Sequence, residues 1–121
     1  MPTILIVDDH QGFRMFARTL LASEGFEVIG EAADGEAAVR AVAERRPDVV
    51  LLDVQLPEVD GFEVADRLAR ADDPPAVVMT STRDAADYGT RLGNAPILGF
   101  IPKQELSGAA IGALLSPAIG A

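Results

Sequence analysis

Val49-Val50-Leu51-Leu52-Asp53 is an unbroken apolar run of strand length that ends on a carboxylate. Because it is apolar at every residue and not at every second one, it reads as a parallel strand buried on both faces. Such a strand delivers its next residue to the carboxyl edge of the sheet, where open α/β sheets hold their ligands. The same design recurs before and after it. Ile4-Leu5-Ile6-Val7 leads into Asp8 and Asp9, and Gly99-Phe100-Ile101 leads to Lys103. Carboxylates gathered at one edge repel by roughly 3 kcal/mol per pair at about 5 Å and an effective dielectric near 20, so something cationic must join them. Lys103 and a divalent metal are the candidates.

Helical patterns fill the intervals. A strand over 3–7 is followed by a helix over 12–24 with Phe13, Phe16, Leu20 and Leu21 at one-face spacing, ending at Gly25. A less apolar strand, 26–32, suits a sheet edge, and Asp34 can cap a helix to 46 whose inner stripe is Ala38, Ala41, Val42 and the stem of Arg45; Pro47 blocks its continuation. After the central strand, 56–61 reads as a turn and 62–71 as a helix with Val64, Ala65 and Leu68 inward. Then come a strand over 76–80, a helix over 84–92, a strand over 99–101 and a last helix over 107–115. Gly89, Gly108 and Gly112 each cost a helix about 1 kcal/mol relative to Ala, so packing must hold the last two helices together. The tail 116–121 is expected to be loose. This alternation predicts an α/β fold: a doubly wound, five-stranded parallel sheet with helices on both faces. Right-handed crossovers then bring the ends of the first, third and fifth strands into one cleft with Asp8, Asp9, Asp53 and Lys103.

Bulk properties narrow the functions. A length of 121 residues suits one domain, 1–121, and with 49% hydrophobic but only 5% aromatic residues the core must be built from aliphatic side chains and alanine. The net charge of −9 and the absence of a basic run argue against nucleic acid as a direct partner. Without cysteine there is no disulfide, thiolate nucleophile or Cys-ligated zinc, which fits a cytoplasmic setting. No apolar run approaches the roughly 20 residues of a spanning helix, so no membrane role is expected. His10 is the only histidine, which leaves a His-based dyad without material, and it reads as a loop residue beside the site. Phe13 and Phe16 read as core stripe. Asp8-Asp9-His10-Gln11 after the first strand is no glycine-rich phosphate loop, which excludes a flavin or dinucleotide domain.

VDDH at 7–10, LLDVQLPEVDG at 51–61, TSTRD at 80–84 and GFIPK at 99–103, in this order, resemble the receiver domain of two-component response regulators over essentially the whole chain. The resemblance implies the flavodoxin-like strand order 2-1-3-4-5. It implies that Asp53 accepts a phosphoryl group from a sensor histidine kinase or phosphotransfer protein. Mg2+ would be held by Asp9, Asp53 and the backbone carbonyl of Gln55, with Asp8 acting mainly through a bound water. Lys103 would pair with a phosphoryl oxygen, Ser81 would be the switch hydroxyl with Thr80 as the alternative, and Phe100 the switch aromatic. The output would be a changed face of helix 4, strand 5 and helix 5, read by an unspecified downstream protein or through a phosphorylation-dependent homodimer. Such a protein catalyses only its own phosphorylation and dephosphorylation and has no external metabolic substrate.

Some positions depart from the pattern. Pro102 precedes Lys103 and Gln104 follows it, so no cis bond is expected after the lysine, and Gln55 and Arg83 stand where the family tunes phosphoryl lifetime. The spacing from strand 4 to strand 5 resembles receivers that precede helix-turn-helix output domains, and the chain is expected to be a stand-alone receiver or one lacking that domain. Two other readings compete. A receiver-like scaffold that is never phosphorylated would have no need of the acids, hydroxyl and lysine together. An Mg2+-dependent phosphatase of the haloacid dehalogenase type wants a second acid two residues after its nucleophile, where Gln55 stands. Singly, Asp8 and Asp9 read as helix caps, Lys103 as a surface lysine and Ser81 as a loop hydroxyl; the set carries the reading.

Overall fold

In the computed structural model, which describes the backbone of residues 1–120 and the side chains of residues 1–116, the chain alternates strand and helix throughout. The elements are β1 (Thr3–Val7), α1 (Gln11–Ser23), β2 (Glu27–Ala32), α2 (Gly35–Arg45), β3 (Val49–Asp53), α3 (Gly61–Ala69), β4 (Ala76–Ser81), a 3₁₀ turn (Ala85–Tyr88), α4 (Arg91–Asn94), β5 (Gly99–Pro102), a second 3₁₀ turn (Lys103–Glu105) and α5 (Gly108–Gly120). In the tail expected to be loose, 116–121, the backbone continues α5 to Gly120, while the side chains past Ser116 and residue 121 lie outside what is described. All strand pairs are parallel, in the order β2-β1-β3-β4-β5.

Successive residues of a strand face opposite sides of the sheet, and here that alternation sorts the aliphatic side chains into two cores. Leu5, Val7, Val50, Leu52, Val77 and Met79 meet Ala38 and Val42 of α2 and Val64, Ala65 and Leu68 of α3. Ile4, Ile6, Val49, Leu51, Val78 and Ile101 meet Ala17 and Leu21 of α1 and Ile111 of α5. Both faces of β3 are therefore covered, which is why its sequence shows no alternation. Edge strand β2 buries only Ala32 fully.

Asp34 caps α2 by accepting the Ala37 N–H at 2.8 Å, and Asp60 caps α3 by accepting the Glu63 N–H at 3.0 Å. The stem of Arg45 lies beside Gly30, and its guanidinium donates to the Ile29 carbonyl oxygen at 2.6 Å.

Two expectations need correction. Phe16 is 55% exposed and not part of the core stripe; Ala17 and Leu21 are fully buried, and Phe16 lies about 100° around the helix from Ala17. The predicted helix over 84–92 is divided into the 3₁₀ turn and one-turn α4, because Gly89 between them takes φ +55°.

α3 starts in contact with the end of β3. Gly61 donates to the Val54 carbonyl oxygen at 2.7 Å, and a Cβ there would fall on the Asp53 carbonyl oxygen and within 2.8 Å of Val54 Cα. Backbone cannot give way as a side-chain tip can, so Gly61→Ala should cost about 2–3 kcal/mol in urea unfolding. Gly93→Ala, which meets nothing within 4 Å, should be neutral or stabilising. Equal stability of the two variants would refute this account of the β3–α3 junction.

Candidate functional site

Val7 pairs with Leu52 in register, so the next residues, Asp8 and Asp53, stand side by side at the carboxyl edge. Asp8 is fully buried and Asp53 is 3% exposed. Lys103 follows β5, two strands from β3, and its long stem spans the gap left by β4. Its ammonium lies 2.6 Å from Asp8 Oδ2 and 3.5 Å from Asp53 Oδ2, over the Phe13 ring at 4.3 Å from the centroid. Phe13 thus supplies an aromatic floor under the cation.

The backbone around the acids is fixed by hydrogen bonds. Asp8 Oδ1 accepts the His10 N–H at 2.8 Å, and Asp53 Oδ1 accepts the Gln55 N–H at 3.1 Å. Arg14 donates to the Asp8 carbonyl oxygen at 2.6 Å while held by Glu31 of β2, which also pairs with Arg18. The hydrogen bond from Arg18, with that from Arg14, holds the Glu31 carboxyl below its ordinary value. Asp9 and His10 form the rim: His10 Nδ1 lies 3.1 Å from Asp9 Oδ1 and 3.2 Å from Asp8 Oδ1, with the His10 side chain largely exposed.

Burial pushes the Asp53 carboxyl up to about 6, and the charge of Asp8 adds to this; the Lys103 charge and the Gln55 N–H pull it back only in part. The site is short of positive charge. Asp8, Asp9, His10 and Asp53 each bring a ligand atom within 4.8 Å of the others, and Asp8 Oδ2 is buried with no aligned hydrogen bond, facing only the ammonium. A donor set dominated by carboxylate oxygens fits a hard divalent cation.

Thr80 and Ser81 differ sharply in their partners. The Thr80 hydroxyl donates to the Ile101 carbonyl oxygen at 2.7 Å, inside the sheet. Ser81 Oγ lies 2.6 Å from the Tyr88 hydroxyl and accepts the Arg83 N–H at 3.1 Å. The half-buried Tyr88 ring stands edge-on to both Phe62 and Phe100, at 5.9 Å from each. Arg91 stacks on Phe62 at 4.1 Å and pairs with Asp60 at 3.0 Å. Thus Asp8, Asp9, Asp53 and Lys103 share one cleft, while Ser81 and Phe100 both border Tyr88. Sequence reasoning missed Tyr88 as a partner of Ser81 and Phe13 as the floor under Lys103. Phe13 could have been noticed as the first aromatic of the helix that leaves the acid pair.

Residues 4–113 match the family model of the response regulator receiver domain, and the chain belongs to that family. Such domains work in two-component systems, where histidine kinases or phosphotransfer proteins phosphorylate them, and Mg2+ binding is typical. The chain is 36% identical over 102 residues to BvgA of Bordetella pertussis, covering 84% of this chain and 49% of that protein. It is 43% identical over 91 residues to protein-glutamate methylesterase/protein-glutamine glutaminase 4 of Geobacter metallireducens, covering 74% of this chain and 26% of that protein. It therefore spans about half the length of BvgA and about a quarter of the methylesterase. Among solved structures, the signal receiver domain of NarL from Mycobacterium tuberculosis matches with a TM-score of 0.85 and 30% identity over 99% of this chain and 98% of that one. No helix among the described residues is long and apolar enough to cross a membrane.

The raised Asp53 value predicts how stability depends on pH. In chelator-treated buffer the folded protein holds this proton more tightly than the unfolded chain, so stability falls as pH rises from 3.8, the ordinary value, through about 6. The loss is roughly 3 kcal/mol at its largest. Asp53→Asn, which cannot ionise, should be more stable than the parent at pH 7 and lose that advantage near pH 4. Urea unfolding at the two pH values measures this, and an Asn variant weaker than the parent at pH 7 would contradict it.

Proposed function

We propose that residues 1–121 form a single receiver domain that takes a phosphoryl group onto Asp53 from a sensor histidine kinase or phosphotransfer protein in the cytoplasm. The observation that carries this is the buried Asp53 carboxylate, adjacent in register to Asp8 and served by a single ammonium. An Asp53 oxygen attacks phosphorus; the new O–P bond forms as the N–P bond of the donor phosphohistidine breaks, and the bonding pair leaves with the imidazole. The carboxylate must therefore be ionised, which its burial opposes. Asp9, Asp53 and the Gln55 backbone carbonyl would hold Mg2+, with Asp8 acting through a water, and the bound cation would supply positive charge against the carboxylate and the phosphoryl oxygens.

Lys103 lies within reach of both acids, so its ammonium passes from Asp8 and Asp53 to a phosphoryl oxygen with little movement. Ser81 is the hydroxyl that reads the phosphoryl group, because the Thr80 hydroxyl is already committed to Ile101 within the sheet. Its inward turn draws in the loop after β4, Phe100 fills the space left, and the face of α4, β5 and α5 changes shape for a downstream protein or a second copy of the domain. The chain acts on its own carboxylate and has no external metabolic substrate.

Acetyl phosphate as donor, read by intact mass, tests this directly. The parent should gain one phosphoryl group with Mg2+ and none with excess chelator, and Asp53→Asn should gain none in either case. A gain that survives in Asp53→Asn would move the acceptor elsewhere.

A further inference from the structure

We propose that Tyr88 is a positioning residue of the switch: its phenol tethers the Ser81 hydroxyl in the resting protein, and loading of Asp53 breaks that tether and frees the Tyr88 ring. This rests on the reading of Asp53 as acceptor and Ser81 as the hydroxyl that responds to it.

Ser81 is fully buried, and its Oγ is engaged by the Tyr88 hydroxyl at 2.6 Å and by the Arg83 N–H at 3.1 Å. Neither partner belongs to the acid cluster, and with Ser81 as the donor to the Tyr88 oxygen its one proton must leave Tyr88 to serve a phosphoryl oxygen on Asp53. Phe100, at the switch aromatic position, carries no hydroxyl, and Tyr88 is the only tyrosine in the chain. The phenol that answers Ser81 therefore comes from the 3₁₀ turn after β4 and not from β5. The Tyr88 ring is the shared neighbour of Phe62 at the start of α3 and Phe100 in β5, so its release alters both contacts. The segment that carries it is built to move: the 3₁₀ turn has no buried residue and ends at Gly89, whose φ of +55° interrupts the helix.

Because the chain has one tyrosine and no tryptophan, tyrosine fluorescence and tyrosine ring resonances report on Tyr88 alone. The probe is beryllofluoride, a phosphoryl mimic, titrated with Mg2+ into the parent, Tyr88→Phe, Ser81→Ala and the double variant. Saturation should change the Tyr88 signals of the parent. Tyr88→Phe, with no tether to break, should bind beryllofluoride about two- to tenfold more tightly, the worth of one neutral hydrogen bond. Ser81→Ala and the double variant should bind alike, since the tether needs both hydroxyls. Unchanged Tyr88 signals at saturation, an unchanged or weaker affinity in Tyr88→Phe, or the same gain in the Ser81→Ala background would each overturn the proposal. Phosphorylation by acetyl phosphate separates the two levels. A phosphoryl gain on Asp53 with silent Tyr88 signals removes only the tether, whereas no gain on Asp53 removes both the tether and the receiver reading.

Discussion

One ammonium divided between two buried carboxylates is the interaction on which the rest depends. Sheet register forces Asp8 and Asp53 together at a dry edge, and Lys103 approaches both. A buried ion pair repays its desolvation only with close geometry and further hydrogen bonds. Asp8 has that geometry at 2.6 Å, whereas the Lys103 to Asp53 distance of 3.5 Å leaves Asp53 the less compensated partner. Its raised proton affinity comes first from burial and then from the charge of Asp8, which Lys103 offsets only in part. The site is thus left electrostatically incomplete, and the deficit falls on Asp53. Stability given up at Asp53 becomes affinity for whatever positive charge arrives, by the ordinary linkage between folding and binding.

The sheet makes such an arrangement bearable. With β3 covered on both faces by aliphatic side chains, the carboxyl edge is carried on a strand that is buried throughout. Phe13, under the ammonium, and Arg14, locked to the Asp8 carbonyl by way of Glu31, extend these contacts into the loop after β1. Gly61 lets α3 start against the backbone of Asp53 itself. Asp53 is thus enclosed from both sides by packed and hydrogen-bonded elements.

What could be read from sequence followed from period and position. A five-residue apolar run ending on an acid has few interpretations, so Asp8, Asp53 and Lys103 were legible along with the sheet that gathers them. Phe16 was misread because Ala17, Leu20 and Leu21 already fill the inward arc of α1, and aromatic character alone does not say which side of the arc a residue takes. The broken fourth helix was half legible: Gly89 signalled weakness, but its positive φ depends on where the following turn must go. The Tyr88 to Ser81 hydrogen bond was not legible. It joins a strand end to a 3₁₀ turn seven residues on, and hydrophobic periodicity carries no information about which hydroxyl meets which.

The molecule is accordingly asymmetric in how deeply its helices are buried. Around β1 and β3, α1 buries residues in one core and α2 and α3 in the other, whereas the 3₁₀ turn and α4 bury none completely. The connection between β4 and β5 combines partly buried Leu92, Ala95 and Ile97 and short-range backbone hydrogen bonds with side-chain contacts: Ser81 to Tyr88, the Tyr88 ring between two phenylalanines, and Arg91 on Phe62 and Asp60. A segment with no fully buried residue opens at lower cost than helices anchored in the core, so the loss of one directional contact weighs more here than elsewhere in the sheet-packed structure. On the proposed reading of Ser81, a new bond to its hydroxyl would act on this segment and leave the core-anchored sheet edge in place.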